Sequence, residues 1–305
     1  MNIFLEIIID MIYYSPLAFI NFIKAFAGLF DDDYPNKNSN KIPFTEDNDK
    51  PPQIFNIDRE ENNLNNTSDF ISVIIPCYNE ENELHNTLNQ LIQEVKCEII
   101  VSDGGSTDSS LSILNEYENI KIIKGGKNRS ESLNLGALES CSPILLFLHA
   151  DTKLPNNWGN IIRTTLTNPK YLLGTFSFDL KDNIKKSNKL FNWVIYWTNI
   201  RSKWLSLPYG DQGLFLKRST FNEFGGFPAV SLMEDYDFVI SIRNKSWFSV
   251  KTVNESIQTS ARRWLHLGIF TTFIVNQLVI FGNCIGVPRE RLVKWYYGLN
   301  KLRNY

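Results

Sequence analysis

The stretch ILLFLHAD, residues 144–151, is a run of five large apolar residues that ends in His149, Ala150 and Asp151. Such a run reads as a buried strand. A buried, unpaired carboxylate is costly, so Asp151 has to reach water, a cation or a strong donor. A strand that ends this way delivers its polar residue to the open edge of a sheet, where α/β folds bind ligands.

The residues before it repeat the pattern. FISVII (70–75) reads as a strand, and Pro76 is expected to stop it at the loop PCYNEEN. Leu84, Leu88, Leu91, Ile92 and Val95 then recur at helical spacing, which predicts one buried face. EIIVS (98–102) is a second strand. In the DGGSTDSS that follows, Gly104 and Gly105 permit a tight turn and Ser106 or Thr107 can cap a helix. IKII (120–123) is a third strand, a helix follows Arg129, and ILLFLHAD is the fourth strand. Strands and helices alternating over short connections predict a parallel sheet with right-handed crossovers. The carboxyl ends of these strands then lie on one edge. Taken singly, Tyr78, Asn79, Glu80, Asp103, His149 or Asp151 could be a turn or cap residue. Their recurrence at successive strand ends predicts one crevice. GGKNRS lacks the spacing of a phosphate-binding P-loop, and no GxGxxG follows the first strand, so neither nucleotide motif is supported.

A chain of 305 residues holds one large domain or two modest ones. Its net charge of -2 gives no support for nucleic-acid binding. Cys77, Cys97, Cys141 and Cys284 are scattered, which suits free thiols in a reducing cytosol. His85, His149 and His266 are too far apart for a local metal motif. Residues 1–30 are apolar but interrupted by Glu6, Asp10, Pro16 and Lys24. No basic stretch precedes the apolar run, so a cleavable signal peptide is not expected. The segment suits a helix lying at a membrane interface or docked on the protein better than a span. Residues 31–68, rich in Asn, Asp and Ser, read as a solvated linker. The organisation expected is therefore an amino-terminal helical segment (1–30), a linker (31–68), a main domain (69–260) and carboxyl-terminal helices (261–305).

Beyond Trp158 the alternation ends. YLLGTFSFDL (171–180) reads as a strand of a mixed sheet, and LFNWVIYWTNIRSKW (190–204) as a helix with core or membrane-facing aromatics. PYGDQGLFLKR (208–218) supplies a loop and a strand; Asp211 and Gln212 between glycines suggest close approach to a substrate, or a plain turn. Glu234 and Asp235 stand at the start of a helix, whose dipole favours anions, so simple capping is the alternative to chemistry. The apolar run LHLGIFTTFIVNQLVIFGNCIGV (265–287) contains His266, Asn276, Gln277 and Asn283 and has arginines on both flanks. With Trp295, Tyr296 and Tyr297 beside Lys294, it suits a helix at the headgroup level or a helix covering the sheet.

SVIIPCYNEE, VSDGGSTDSS and FLHAD, in that order and spacing, resemble the amino-terminal half of glycosyltransferase family 2, which has the GT-A fold. NRSESLNLGA, PYGDQGLFLKR, GGFPAVSLMEDYDF and TSARRW resemble its bacterial selenodomain-associated transferase 2 subgroup, so the likeness runs from Phe70 to at least Trp264. The resemblance implies an α/β architecture, a mixed and mostly parallel sheet flanked by helices. It also implies transfer of a sugar from a nucleotide-sugar to an acceptor hydroxyl, with inversion. On that reading Asp103 recognises the base, while Pro76, Tyr78 and Glu80 contact the donor. Asp151 holds Mg²⁺ or Mn²⁺ against the diphosphate, a hard cation among oxygen ligands. His149, in the place of a more usual aspartate, binds ribose or phosphate or merely closes the strand end. Arg129 clamps a phosphate or pairs with Glu131. Asp235 is the matching catalytic base, with Glu234 and Asp237 orienting it or binding acceptor hydroxyls. Asp211, Gln212, Arg262, Arg263 and Trp264 fall on the acceptor or diphosphate side. TSARRW carries Ser260 where processive members have glutamine, which argues against polymer synthesis. The acceptor, a lipid, saccharide or small molecule, is open. The location implied is cytoplasmic, or peripheral on the cytoplasmic face of a membrane. A nucleotidyltransferase of related fold and a silent nucleotide-sugar-binding module are the alternatives.

Overall fold

The computed structural model describes residues 69–181, 189–284 and 287–301. The expectations for residues 1–30 and 31–68 lie outside the described residues. The described chain divides into two compact units, one running to Ile269 and one from Phe270 onward.

The first unit is built on a seven-stranded sheet. β1 (Ile71–Cys77), β2 (Cys97–Asp103), β3 (Ile120–Lys124) and β4 (Ile144–Phe147) are the four strands expected from the alternation. They are followed by β5 (Leu173–Leu180), β6 (Leu214–Lys217) and β7 (Val250–Thr259). The order across the sheet is β3-β2-β1-β4-β6-β5-β7. β1 pairs in parallel with β2 and β4, and β2 with β3; β6 is antiparallel to β4 and β5, and β7 is parallel to β5. β6 alone therefore runs against the rest. This reversal places the residues before β6, not those after it, on the edge where the other strands end.

Helices cover both faces. α1 (Leu84–Leu91) and α2 (Ser110–Leu114) follow β1 and β2, and α3 (Arg129–Glu139) precedes β4. After β4 come α4 (Trp158–Leu166), α5 (Leu190–Trp204), α6 (Arg218–Glu223) and α7 (Glu234–Lys245). Alternation along β1 sorts its side chains between two cores. Ile71, Val73 and Ile75 join Leu84, Leu88, Trp158 and Ile162. Ile74 joins Leu133, Phe147, Phe221 and Phe238 on the other face.

Three local readings change. α1 ends at Leu91, so Ile92 and Val95 fall past the buried stripe and are exposed. β1 continues through Pro76, paired with Ser102 of β2. Pairing with β4 has already ended at Ile74 and Phe147, so proline's missing donor interrupts no ladder on that side. β4 stops at Phe147, and a turn carries His149, Ala150 and Asp151 past the strand, with Thr152 N–H donating to the His149 carbonyl (3.2 Å).

The apolar carboxyl-terminal run is not one helix. α8 (Arg262–Leu267) ends at Gly268, whose φ of 87° suits glycine alone, and α9 (Ile269–Cys284) begins there. α10 (Arg289–Lys301) follows. Among the described residues, no helix is long and apolar enough to cross a membrane. On α9, Phe270, Ile274 and Leu278 recur every four residues and are exposed.

Candidate active site

The ends of β1 and β2 meet in two loops tied by hydrogen bonds from backbone N–H groups to side-chain oxygens. Asn79, at φ 55°, donates its N–H to Ser106 Oγ (2.9 Å) and accepts from Thr107 N–H at Oδ1 (2.8 Å). Glu80 N–H donates to Ser110 Oγ (2.8 Å), and Ser109 N–H donates to Glu81 Oε2 (3.0 Å). Asp103 is buried and accepts from Gly105 N–H (2.9 Å) and Ser106 N–H (3.1 Å). Its carboxylate therefore shapes the glycine turn as well as facing the pocket beside it. That pocket, about 430 Å³, is lined by Asp103, Gly104, Gly105, Leu111, Ile123 and Lys124 among others. Tyr78 is 62% exposed at the adjacent loop.

Asp151 lies on the turn that follows β4. Its Oδ2 accepts from Arg262 Nη2 (3.1 Å), and the same nitrogen donates to Glu80 Oε2 (2.6 Å). Asp151 Oδ1 is enclosed and has no hydrogen-bond partner. Burial pushes the Glu80 carboxyl up, against the pull of Arg262.

His149, two residues earlier, faces the other way. Arg129 Nη2 donates to its Nε2, and burial together with the Arg129 charge holds the imidazole well below its ordinary range. A neutral ring can accept that bond. Arg129 Nε also pairs with Glu234 Oε1 (3.3 Å), a carboxylate only 4% exposed whose pKa burial raises while Arg129 opposes the rise. The alternative pairing with Glu131 is replaced: Glu131 accepts from Lys127 N–H (2.7 Å) instead.

Asp235 is oriented from two sides. Oδ2 accepts from Gly210 N–H (2.5 Å) and Oδ1 from Tyr236 N–H (2.8 Å). Gly210 belongs to the short 3₁₀ turn Gly210–Gln212 that the reversed β6 brings to this edge. A Cβ there would lie 2.7 Å from Arg129 Nη2 and 2.9 Å from Asp235 Oδ2, so any larger residue must shift one of these two side chains. Arg129, His149, Gly210 and Asp235 line one small cavity of about 10 Å³.

Next to Gly210, burial pushes the Asp211 carboxyl up to about 6, against the pull of Arg201 and with Asp235 adding to the rise. Its Oδ1 is enclosed without a hydrogen-bond partner. The Arg201 guanidinium lies 3.2 Å from the centre of the Tyr209 ring. Sequence reading missed both Arg201 and Tyr209; the one available signal was a cation inside the aromatic α5. Gln212 is fully enclosed and donates to the Phe176 carbonyl (3.0 Å) and Ser202 Oγ (3.1 Å). It holds the turn rather than facing a ligand. Trp264, partly buried, packs on the cluster of Phe178, Leu180 and Phe191. Of the two arginines in TSARRW, Arg262 is the one whose contacts reach Asp151 and Glu80.

Among the described residues no three His, Cys, Asp or Glu side chains form a ready metal cage. Mg²⁺ and Mn²⁺ do not need one when phosphate oxygens complete the shell around one or two carboxylates. Asp151, with one enclosed oxygen lacking a partner and Glu80 across Arg262, fits that donor set.

The model of the family described as Glycosyl transferase family 2 matches residues 72–231, more than half of the chain. A glycosyltransferase of Haloferax volcanii, AglE, is 30% identical over 105 residues, covering 31% of this chain and 34% of the relative. A probable glycosyltransferase of Bacillus subtilis, YdaM, is 26% identical over 197 residues, covering 57% of this chain and 46% of its own. The chain thus spans less than half the length of either relative. The mannosyltransferase PcManGT from Pyrobaculum calidifontis, solved with GDP-Man and Mn²⁺, aligns over 77% of this chain and 70% of its own. Its TM-score is 0.55 at 17% identity, a likeness of fold. The sheet order, the crevice at its edge and the matched span agree, and the chain belongs to glycosyl transferase family 2.

Proposed function

We propose that the protein transfers a sugar from a nucleotide-sugar to an acceptor hydroxyl, with Asp235 as the general base. The observation that carries this reading is the end of β4. It supplies Asp151 to the Glu80–Arg262 cluster and His149 to the Arg129–Glu234 pair beside Asp235. Donor and acceptor machinery are thus two residues apart on one turn. Membership of the family and the names of the two curated relatives support the reaction class.

In this reading the loops after β1 and β2 receive the nucleoside, with Asp103 beside the base pocket and Tyr78 at its mouth. Arg262 and Arg129 supply positive charge toward the diphosphate. Asp235 takes the proton of the acceptor hydroxyl as its oxygen attacks the anomeric carbon and the bond to the diphosphate breaks. One displacement with base and leaving group on opposite sides inverts that carbon. The Gly210 and Tyr236 N–H groups fix the carboxylate in one orientation before substrate arrives, so the step needs no reorganisation there. Glu234 acts through Arg129, holding it near His149. A divalent cation on Asp151 would neutralise charge on the leaving diphosphate.

Residues 69–260 are proposed as the catalytic domain and 261–305 as helical additions. The exposed Phe270, Ile274 and Leu278 stripe supports a peripheral position on a cytoplasmic membrane face.

The test is a panel of nucleotide-sugars with Mn²⁺, read by thermal stabilisation and by release of free sugar. A donor at a hundred times its Kd should add about 2.7 kcal/mol, or roughly 5–10 °C. No stabilisation and no hydrolysis with any member of the panel would refute the reading.

A further inference from the structure

We propose that Arg262 is an internal stand-in for the divalent cation, a positioning residue whose pairing with Asp151 makes cation binding conditional on the nucleoside diphosphate. The inference rests on the reading above and adds an order of events to it.

Glu80 and Asp151 come from the ends of different strands, and their side chains are only 20% and 15% exposed. Two carboxylates so placed repel one another and lose much of their hydration. A single guanidinium nitrogen, Arg262 Nη2, offsets both, at 2.6 and 3.1 Å. The two carboxylates in turn raise the pKa of Arg262 despite its burial. No local geometry forces this contact, since the partners lie 182 and 111 residues away in sequence.

The arginine also has room to move. It opens the six-residue α8 and its side chain is half exposed, while Ala261, immediately before, is anchored in the cluster with Phe178 and Phe191. The backbone is held by packing, and the half-exposed side chain by its contacts with the two carboxylates.

A hard cation on Asp151 Oδ1 would sit beside the guanidinium held on Oδ2. A charge of +2 beside +1 is unfavourable in a partly desolvated site. A diphosphate changes the balance by offering Arg262 other anionic oxygens, for which its planar fork is well suited. Arg262 then moves to the phosphates and Asp151 is released for the cation. Cation and diphosphate thereby assist each other's binding, and linkage makes that assistance reciprocal.

The probe is Mn²⁺ alone, followed by paramagnetic resonance of the free ion and by calorimetry, then Mn²⁺ with UDP or GDP. Arg262→Gln should bind Mn²⁺ alone about tenfold more tightly than the parent, and the gain from adding the diphosphate should shrink correspondingly. Arg262→Lys, which restores the charge, should return toward parental behaviour; a merely structural arginine would not give this pattern. Equal Mn²⁺ affinity in Arg262→Gln and parent, with both still binding the metal–diphosphate pair, overturns the stand-in and leaves the transferase reading intact. If neither protein binds Mn²⁺ with any diphosphate, both fall. Should Arg262→Gln not fold, the parent decides: equal Mn²⁺ affinity with and without the diphosphate overturns the proposal.

Discussion

The two sides of the crevice are held by different forces. After β1 and β2 the loops are laced by bonds between backbone N–H groups and side-chain oxygens, as between Asn79, Ser106 and Thr107. Around α7 the lacing is ionic: His149, Arg129, Glu234, Asp235, Asp211 and Arg201 sit close together, and several are largely enclosed. Local bonds of the first kind are worth about 1 kcal/mol each and do not change between pH 5 and 8. Charges in a partly dry site interact strongly, and each one sets the protonation of its neighbours. A cradle of the first kind keeps its shape whatever binds, whereas groups of the second kind depend on one another's charge and tolerate little displacement.

The sharpest separation of the two sides comes from Asp235→Asn. Asn is nearly isosteric and can still accept from Gly210 N–H, so the fold should survive. Turnover should fall by about 10²–10⁴-fold, the usual worth of a general base. Nucleotide affinity by calorimetry should stay within a few-fold, because the group acts only as the new bond forms. A variant that keeps parental turnover makes Asp235 a cap and moves the base elsewhere in the cluster.

Gly210→Ala tests the same side without removing a charge. The added methyl must displace Arg129 or the Asp235 carboxylate, and misplacement of about 1 Å can cost on the order of 10²-fold in rate. The expected result is a fall in kcat of that order with donor binding little altered. A comparable loss of nucleotide affinity would show that the two sides are one mechanical unit.

Asp211 offers a test by pH. Its carboxyl is raised from 3.8 to about 6, so the folded protein holds that proton more tightly than the unfolded chain. The contribution is full below about pH 4 and is lost as pH rises through 6. Asp211→Asn removes the dependence. Relative to the parent it should gain about 1–3 kcal/mol on going from pH 4 to pH 7.5, measured by denaturation at both values. A constant difference between the two proteins across that range would remove Asp211 from the enclosed ionic group.

The smallest effect is expected in the loops after β1 and β2. Asn79→Ala loses the acceptor for Thr107 N–H and replaces asparagine, which tolerates the left-handed backbone, by alanine, which does not, at a cost of about 1–2 kcal/mol. Asn79→Gly relieves the backbone but not the lost bond, so it should recover about half of this. Nucleotide affinity should weaken a few-fold in both, with turnover of bound substrate unchanged.

Much of this architecture is written locally. Apolar alternation in FISVII and ILLFLHAD marks strands buried on both faces, and the polar residue closing each strand marks the crevice. Those are properties of period and of neighbouring residues, so they survive without knowledge of the rest of the chain. The start of α7 at Glu234 was legible for the same reason. Local period also has limits: it ran α1 past its end to Val95 and placed a stop at Pro76, because neither the reach of a helix nor the side of a ladder is encoded in spacing. Pairing was beyond it. That Arg129 meets Glu234 rather than Glu131, that Gln212 turns inward, that Trp264 is packing and that Arg262 bridges Glu80 and Asp151 all depend on the reversed β6 and on where β7 ends. Which charge meets which is decided by distances of a few ångströms between segments a hundred or more residues apart. The sequence alone therefore determined the strands, their polar ends and the family resemblance, while only the tertiary structure decided which of those ends meet one another across the crevice.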